Sequence, residues 1–160
     1  MNCSGSAVFE VEEHQLFAES DLLQLNDFAK SENINVVSNL ISSWSDNKSF
    51  FGERGEGLWI ARVTESGEVI GVGGITICPT RPECRRVRRF YISPQWRRRG
   101  VATALAKQCI ERAKSAGVST VTCHAAASAM APRFWESIGF EPVADSDITH
   151  VMHLANQWVA

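Results

Sequence analysis

Arg97-Arg98-Arg99-Gly100-Val101-Ala102 is the stretch whose residue types and spacing point most directly to chemistry. It lies between a β-type segment that Pro94 stops and a segment of helical periodicity. A helix start leaves its first amide N–H groups without carbonyl partners and carries roughly half a positive charge, so a strand-to-helix turn is a natural anion cradle. Gly100 lets the backbone come near a ligand, and Ala102 is small for the same reason. The three arginines add charge that a pyrophosphate or a further phosphate would attract. The same residues also fit a solvated basic turn ahead of an amphipathic helix.

Other side chains with chemical potential are scattered. His124 has the pKa range of a base, or is a satisfied or exposed histidine. His150 and His153 are an odd number of residues apart on a terminal strand and so point to opposite faces, which argues against a joint metal site. Five cysteines, Cys3, Cys78, Cys84, Cys109 and Cys123, show neither a CxxC pair nor a zinc-ligand spacing, so no metal is expected and reduced thiols are. The run from Arg85 to Arg89 reads either as charged edges on a partly exposed sheet or as a place where Arg86 or Arg88 receives a carboxylate or phosphate of a substrate. Trp44 and Trp59 either line a pocket for that substrate or belong to the core.

The elements that must hold these residues follow from periodicity. Residues 7–11 alternate as a first strand, and residues 20–30 bring Leu22, Leu23, Leu25 and Phe28 to helical spacing behind a Ser20 or Asp21 cap. Val37, Leu40, Ile41 and Trp44 form one face of a second helix, with residues 33–35 as the bend between. Residues 58–64 and 69–78 flank Glu65-Ser66-Gly67-Glu68 as a hairpin, and Gly71, Gly73 and Gly74 require a bulge or a close neighbour in its second strand. Residues 79–82 read as a loop. Residues 86–93 form a strand with Val87, Arg89 and Tyr91 on one face and Arg86, Arg88, Phe90 and Ile92 on the other. Over residues 100–116 Val101, Leu105, Cys109 and Ala113 recur every four positions, and Gly117 ends the helix. Residues 119–124 are a strand, and residues 130–138 a helix with Met130, Phe134 and Ile138 on one face before Gly139. Residues 140–143 and 149–154 give two last strands. The order predicts one α+β domain over residues 1–160, a mixed and mostly antiparallel sheet of six to seven strands with about four helices on its faces.

A chain of 160 residues buries one sizeable core, and 44% apolar residues with five Trp and eight Phe mark a globular protein. The net charge of −2 predicts no general attraction to nucleic acid or membrane. Charge is nevertheless segregated. Arg81, Arg85, Arg86, Arg88, Arg89, Arg97, Arg98 and Arg99 supply half of the sixteen basic residues, while Glu10, Glu12, Glu13, Glu19, Asp21, Asp27 and Glu32 make the N-terminal part acidic. Residues 1–12 lack the charged start and apolar run of a signal peptide, and no run approaches the roughly eighteen apolar residues of a membrane span. The expectation is a cytoplasmic protein, monomer or homodimer, with no membrane or nucleic-acid partner.

Residues 87–106, VRRFYISPQWRRRGVATALA, resemble the GNAT (GCN5-related N-acetyltransferase) superfamily, in which an apolar strand ending in Pro leads to a Q/R-x-x-G-x-G/A turn and a long helix. Arg97, Gly100 and Ala102 occupy the three motif positions. Residues 128–140, SAMAPRFWESIGF, are similar to the family's second motif, N-x-x-A-x-x-F-Y-x-x-x-G-F, with Ala131, Phe134, Gly139 and Phe140 matching. The element order agrees across nearly the whole chain. The resemblance implies acetyl-CoA as cofactor, its pyrophosphate on the amides of Arg98, Arg99, Gly100, Val101, Ala102 and Thr103. The pantetheine arm would pair with the backbone around Phe90, Tyr91 and Ile92 as if it were an extra strand. Ser128 replaces the asparagine that often binds that arm.

The pattern breaks at the proton chemistry. Trp135 stands where many relatives carry a tyrosine that protonates the leaving thiolate, and an indole N–H is a donor but no useful acid. Arg86 stands where many carry a glutamate base. Glu83 is the nearest carboxylate, or else a solvated loop residue; Ser128, a water or nothing would serve as acid. The leading expectation is acetyl transfer to a primary amine, a small molecule rather than a protein, by direct attack in a ternary complex. The alternative is a non-catalytic acyl-CoA-binding sensor or interaction module that has lost the general acid. Nucleic-acid binding through the arginines is disfavoured by the overall acidity. The acceptor's identity is open.

Overall fold

The computed structural model describes residues 8–14, 19–46, 51–125, 132–145 and 147–154. Its elements are β1 (Phe9–Glu13), α1 (Glu19–Ser31), α2 (Val36–Asp46), β2 (Gly57–Val63), β3 (Val69–Cys78), β4 (Arg81–Ile92), α3 (Val101–Ser115), β5 (Thr120–Cys123), α4 (Pro132–Ser137), β6 (Glu141–Pro142) and β7 (His150–His153). A single 3-10 turn, Pro94–Trp96, joins β4 to the segment before α3.

The strands form one sheet in the order β1-β2-β3-β4-β5-β7-β6. Every neighbouring pair is antiparallel except β4 and β5. Parallel neighbours need a crossover, and α3 supplies it. Among the described residues the chain thus forms a seven-stranded, mostly antiparallel sheet with four α-helices, within the expected six to seven strands and about four helices.

Alternation along the strands feeds two apolar layers. Leu58, Ile60, Val72 and Tyr91 pack under Leu22, Leu25 and Ala29 of α1 and Val37, Leu40 and Trp44 of α2. Trp59, Ile75, Val87, Phe90, Ile92 and Val121 pack under Val101, Leu105, Cys109 and Ala113 of α3, with Trp135 of α4 and Phe140 closing the same layer. Asn33, at φ 62°, turns the chain between α1 and α2, a conformation asparagine tolerates better than most residues.

Several expectations are corrected. The first strand sits two residues later, over Phe9–Glu13. β4 starts at Arg81, so Glu83 and Pro82 belong to a strand rather than a loop. β4 is paired on both sides only at Arg85 and Arg86, so these two are interior, whereas Arg88 and Arg89 are paired with β3 alone. The described part of α4 starts at Pro132, and its buried residue is Trp135, with Phe134 and Ile138 only partly covered; Met130 lies outside the described residues, as does Ser128.

Candidate acyl-CoA and acceptor site

The simple alternation expected for β4 fails at Arg89. Gly74 pairs with Arg88 and Val72 with Tyr91, so Arg89 and Phe90 together face the single residue Gly73. That is a β-bulge, and Arg89 adopts φ 63° to make it. Beyond the bulge the faces are exchanged. Phe90 and Ile92 join Val87 under α3, while Tyr91 turns toward α1 and α2. Gly73 is required because a Cβ there would lie 2.7 Å from the Phe90 ring. The Gly71, Gly73 and Gly74 cluster thus marks both a bulge and close packing.

At the same place the sheet opens. β4 pairs with β5 only through Arg85–Val121 and Arg86–Thr122. Past Arg86 no residue of β5 pairs with β4, so among the described residues the side of Arg88 to Ile92 turned away from β3 has no ladder partner, a gap in the pairing of the sheet. The gap leads to the arginine turn. Arg98 and Gly100 both have positive φ, 63° and 86°, and Gly100 is the N-cap of α3 without a side-chain cap. The first amide of α3 to reach a carbonyl of the preceding turn is that of Ala104, on Gly100 O at 3.0 Å. The amides before it point outward from the helix start, and a Cβ on Gly100 would meet nothing within 4 Å.

The three arginines of the turn have separate fates. Arg97 donates through Nη1 and Nη2 to both carboxylate oxygens of Glu32, at 2.9 and 2.6 Å, and through Nε to Ile92 O at 3.0 Å. Tyr91 Oη donates to the same carboxylate, and the guanidinium of Arg97 lies 5.4 Å from the Tyr91 ring centroid. The Arg97 and Tyr91 bonds hold the Glu32 carboxyl below its ordinary range, and burial together with Glu32 pushes the Tyr91 hydroxyl up. Arg99 lies over the Trp96 ring at 5.0 Å. Glu32, at the end of α1, was not legible as a site residue, since nothing in its spacing tells it from the other N-terminal acids.

On the face toward α2, Arg86 lies across from Thr76 on β3 and Thr122 on β5, and Arg88 across from Gly74. The bulge adds Arg89, whose Nη2 reaches Ser43 Oγ on α2 at 3.4 Å. Trp44 is buried, with its ring 5.5 Å from that of Phe51. Trp59 packs under α3, with the Arg112 guanidinium 5.0 Å from its ring. Glu83 is exposed on the first part of β4, before the pairing with β5 begins. His124 follows β5 directly and its buried Nδ1 has no partner.

Trp135 is fully buried, edge-on to Phe90, Phe134 and Phe140 at 4.9, 4.9 and 5.3 Å, and its Nε1 has no partner. Cys78, Cys84, Cys109 and Cys123 are free thiols, and burial pushes three of them up, Cys123 to about 12. The three raised thiols are poor nucleophiles. His150 is buried and bonded through Nε2 to Glu136 at 2.8 Å, while His153 is exposed. Among the described residues no cluster could hold a metal ion, and no helix is long and apolar enough to cross a membrane.

The family model described as "Acetyltransferase (GNAT) family" matches residues 21–140. No curated protein sequence matches the chain. Among solved structures, one from Exiguobacterium sp. 255-15, assigned as an acetyltransferase, superposes with a TM-score of 0.81 at 23% identity, covering 91% of this chain and 93% of its own. A GNAT-family acetyltransferase from Staphylococcus aureus Mu50 gives 0.71 at 12% identity over 92% and 100%. A GCN5-related N-acetyltransferase from Kribbella flavida gives 0.64 at 19% identity over 91% and 96%. These likenesses show the fold, and the family match shows descent: the chain belongs to the acetyltransferase (GNAT) family, whose members use acetyl-CoA or another acyl-CoA as cosubstrate.

Proposed function

We propose that the protein transfers an acetyl group from acetyl-CoA to the nitrogen of a primary amine while both substrates are bound. The observation that carries this reading is the parting of β4 from β5 after Arg86, immediately ahead of a helix start whose amides are open. An amide-bearing arm seated in the gap would complete the β4 ladder, and a pyrophosphate would meet the amides of Arg98 to Thr103. Arg97 acts indirectly, anchoring the turn to Glu32 and to Ile92 O.

The amine nitrogen would attack the thioester carbonyl carbon, the C–S bond would break, and the thiolate would leave as the new amide loses its surplus proton. The bulge takes one residue of β4 out of register with β3, and a backbone N–H left unpaired by it would be a donor for the oxyanion. Tyrosine acid catalysis has no candidate: the chain's one tyrosine, Tyr91, is committed to Glu32. A thiol with a pKa of about 8.5 is still a tolerable leaving group near neutral pH. Positioning then carries most of the acceleration.

The buried indole of Trp135 also favours a second reading, an acyl-CoA-binding module without turnover. A thermal-shift titration with acetyl-CoA followed by a thiol-release screen over primary amines separates the two. Stabilisation with release of free CoA is the expected result. Stabilisation without release from any amine supports the binding module, and no stabilisation at millimolar acetyl-CoA sinks both.

A further inference from the structure

Buried or half-buried charges in folded proteins are paired, because removing an ion from water costs several kcal/mol. The carboxylates of this protein follow the rule at the periphery. Glu12 pairs with Arg62, Glu13 with Arg112, Glu32 with Arg97 and Asp145 with Arg81. Arg85, also buried, gives its guanidinium to the carbonyls of Arg54, Pro82 and Cys84. Arg86, Arg88 and Arg89 do not follow it. All three are partly buried on the interior strand β4, and among the described residues none forms an ion pair with a carboxylate.

The carboxylate that Arg88 feels most is Glu56, and both its oxygens are taken by backbone amides, Oε1 by Glu53 at 3.0 Å and Oε2 by Ile77 at 2.8 Å. Polar atoms around the arginines are also unsatisfied. Arg89 Nε and Thr76 Oγ1 are buried without partners, Thr76 being directly across from Arg86. Arg89 Nη2 has only the long contact to Ser43. Burial and mutual repulsion bring Arg88 down to about 10 and lower Arg89 in the same direction. Three guanidiniums without a carboxylate partner among the described residues, close to the β4–β5 gap, are what an anion would complete.

We infer that the amine acceptor carries an oxyanion, a carboxylate or a phosphate, and that Arg88 and Arg89, with Arg86 beside them, bind it next to the gap between β4 and β5. This deepens the acyl-transfer reading, since it takes the acceptor to be an amine. The anion site can be tested without turnover. A planar guanidinium binds a carboxylate or phosphate through two parallel N–H donors, which lysine cannot reproduce. The chemical class is therefore an amino acid, a peptide terminus near its carboxylate, or a phosphorylated amine, and not a neutral or polycationic amine.

The test uses matched pairs that differ by one anionic group: an α-amino acid against its amide, and phosphoethanolamine against ethanolamine. Binding is measured by calorimetry to the full chain saturated with free CoA, and turnover by thiol release with acetyl-CoA. The anionic member of at least one pair is expected to bind roughly ten- to a hundredfold more tightly, as charge-assisted hydrogen bonds would require. The pair that shows the preference identifies the oxyanion. Arg88→Gln and Arg89→Gln are each expected to reduce the preference at least several-fold, and Arg88→Lys to restore only part of it, with acetyl-CoA affinity unchanged as the check on folding. Equal binding within both pairs overturns the inference, as does a preference that survives both glutamine variants. A preference in the calorimetry without thiol release upholds the anion site while the acyl-transfer reading fails.

Discussion

Glu32 gathers more of the turn's geometry than any motif residue does. It accepts two bonds from Arg97 and one from Tyr91, so its loss leaves a buried phenol without an acceptor and frees the guanidinium that holds Ile92 O. Glu32→Ala is expected to lower stability by about 1–3 kcal/mol in urea unfolding and to weaken acetyl-CoA binding as the turn loosens. Tyr91→Phe should cost less, because Arg97 still satisfies the carboxylate. The pH dependence has a definite sign. The folded carboxyl titrates below its ordinary 4.5, so its contribution is complete above that pH and disappears as the pH falls through the folded value. The stability curves of wild type and Glu32→Gln should converge in acid. At Trp135 the question is the thiolate rather than the fold. Trp135→Tyr supplies a hydroxyl at the position that the motif resemblance assigns to an acid; if departure of the thiolate limits the reaction, kcat should rise about tenfold or more at some loss of Tm. An unchanged kcat would place the slow step elsewhere.

The bulge in β4 and the turn before α3 are the two elements that make the site, and both rely on glycine for different reasons. Gly73 is needed for space, since Phe90 occupies the volume of a Cβ, whereas Gly100 is needed for its dihedral and has open surroundings. Gly73→Ala should therefore destabilise by about 1–3 kcal/mol through overpacking. Gly100→Ala should cost about 1 kcal/mol of backbone strain, yet weaken acetyl-CoA binding more than Gly73→Ala does for each unit of stability lost. Calorimetry and urea titration on the two variants separate these effects. The turn was legible because its signals are local: a Gly at a helix start, a Pro at a strand end and apolar residues every fourth position. The bulge was not, because strict alternation over residues 86–93 is a one-strand rule and the register shift arises from pairing with Gly73. That single missing step placed Arg89 with Val87 and Tyr91 and hid it from the cluster to which it belongs. The arginines likewise read alike as edge charges because a continuous polar run resembles an edge, whereas the crossover through α3 puts β5 beside Arg85 and Arg86 and leaves Arg88 and Arg89 past the pairing.

At the scale of the molecule the sheet consists of two unequal parts, β1 to β4 and β5 with β7 and β6, joined by two residue pairs. The helical layer of α3 and α4 spans both parts, so the structure holds together with this seam short. A ligand in the seam would extend the ladder, and hydrogen exchange should slow in the second half of β4 and in β5 when acetyl-CoA is added. At a hundred times its Kd the cofactor should add about 2.7 kcal/mol of apparent stability. The net charge is −2, yet among the described residues Arg86, Arg88 and Arg89 of β4 have no carboxylate partner. An ammonium group brought among these guanidiniums is disfavoured relative to the neutral amine, even when the acceptor's own oxyanion cancels one of the three charges. With Arg86, Arg88 and Arg89 around it, the acceptor would thus shed its proton to water by electrostatic potential, with no side chain needed to accept it. The acid limb of kcat should then fall below the pKa of the free amine, and Arg88→Gln should move it back up.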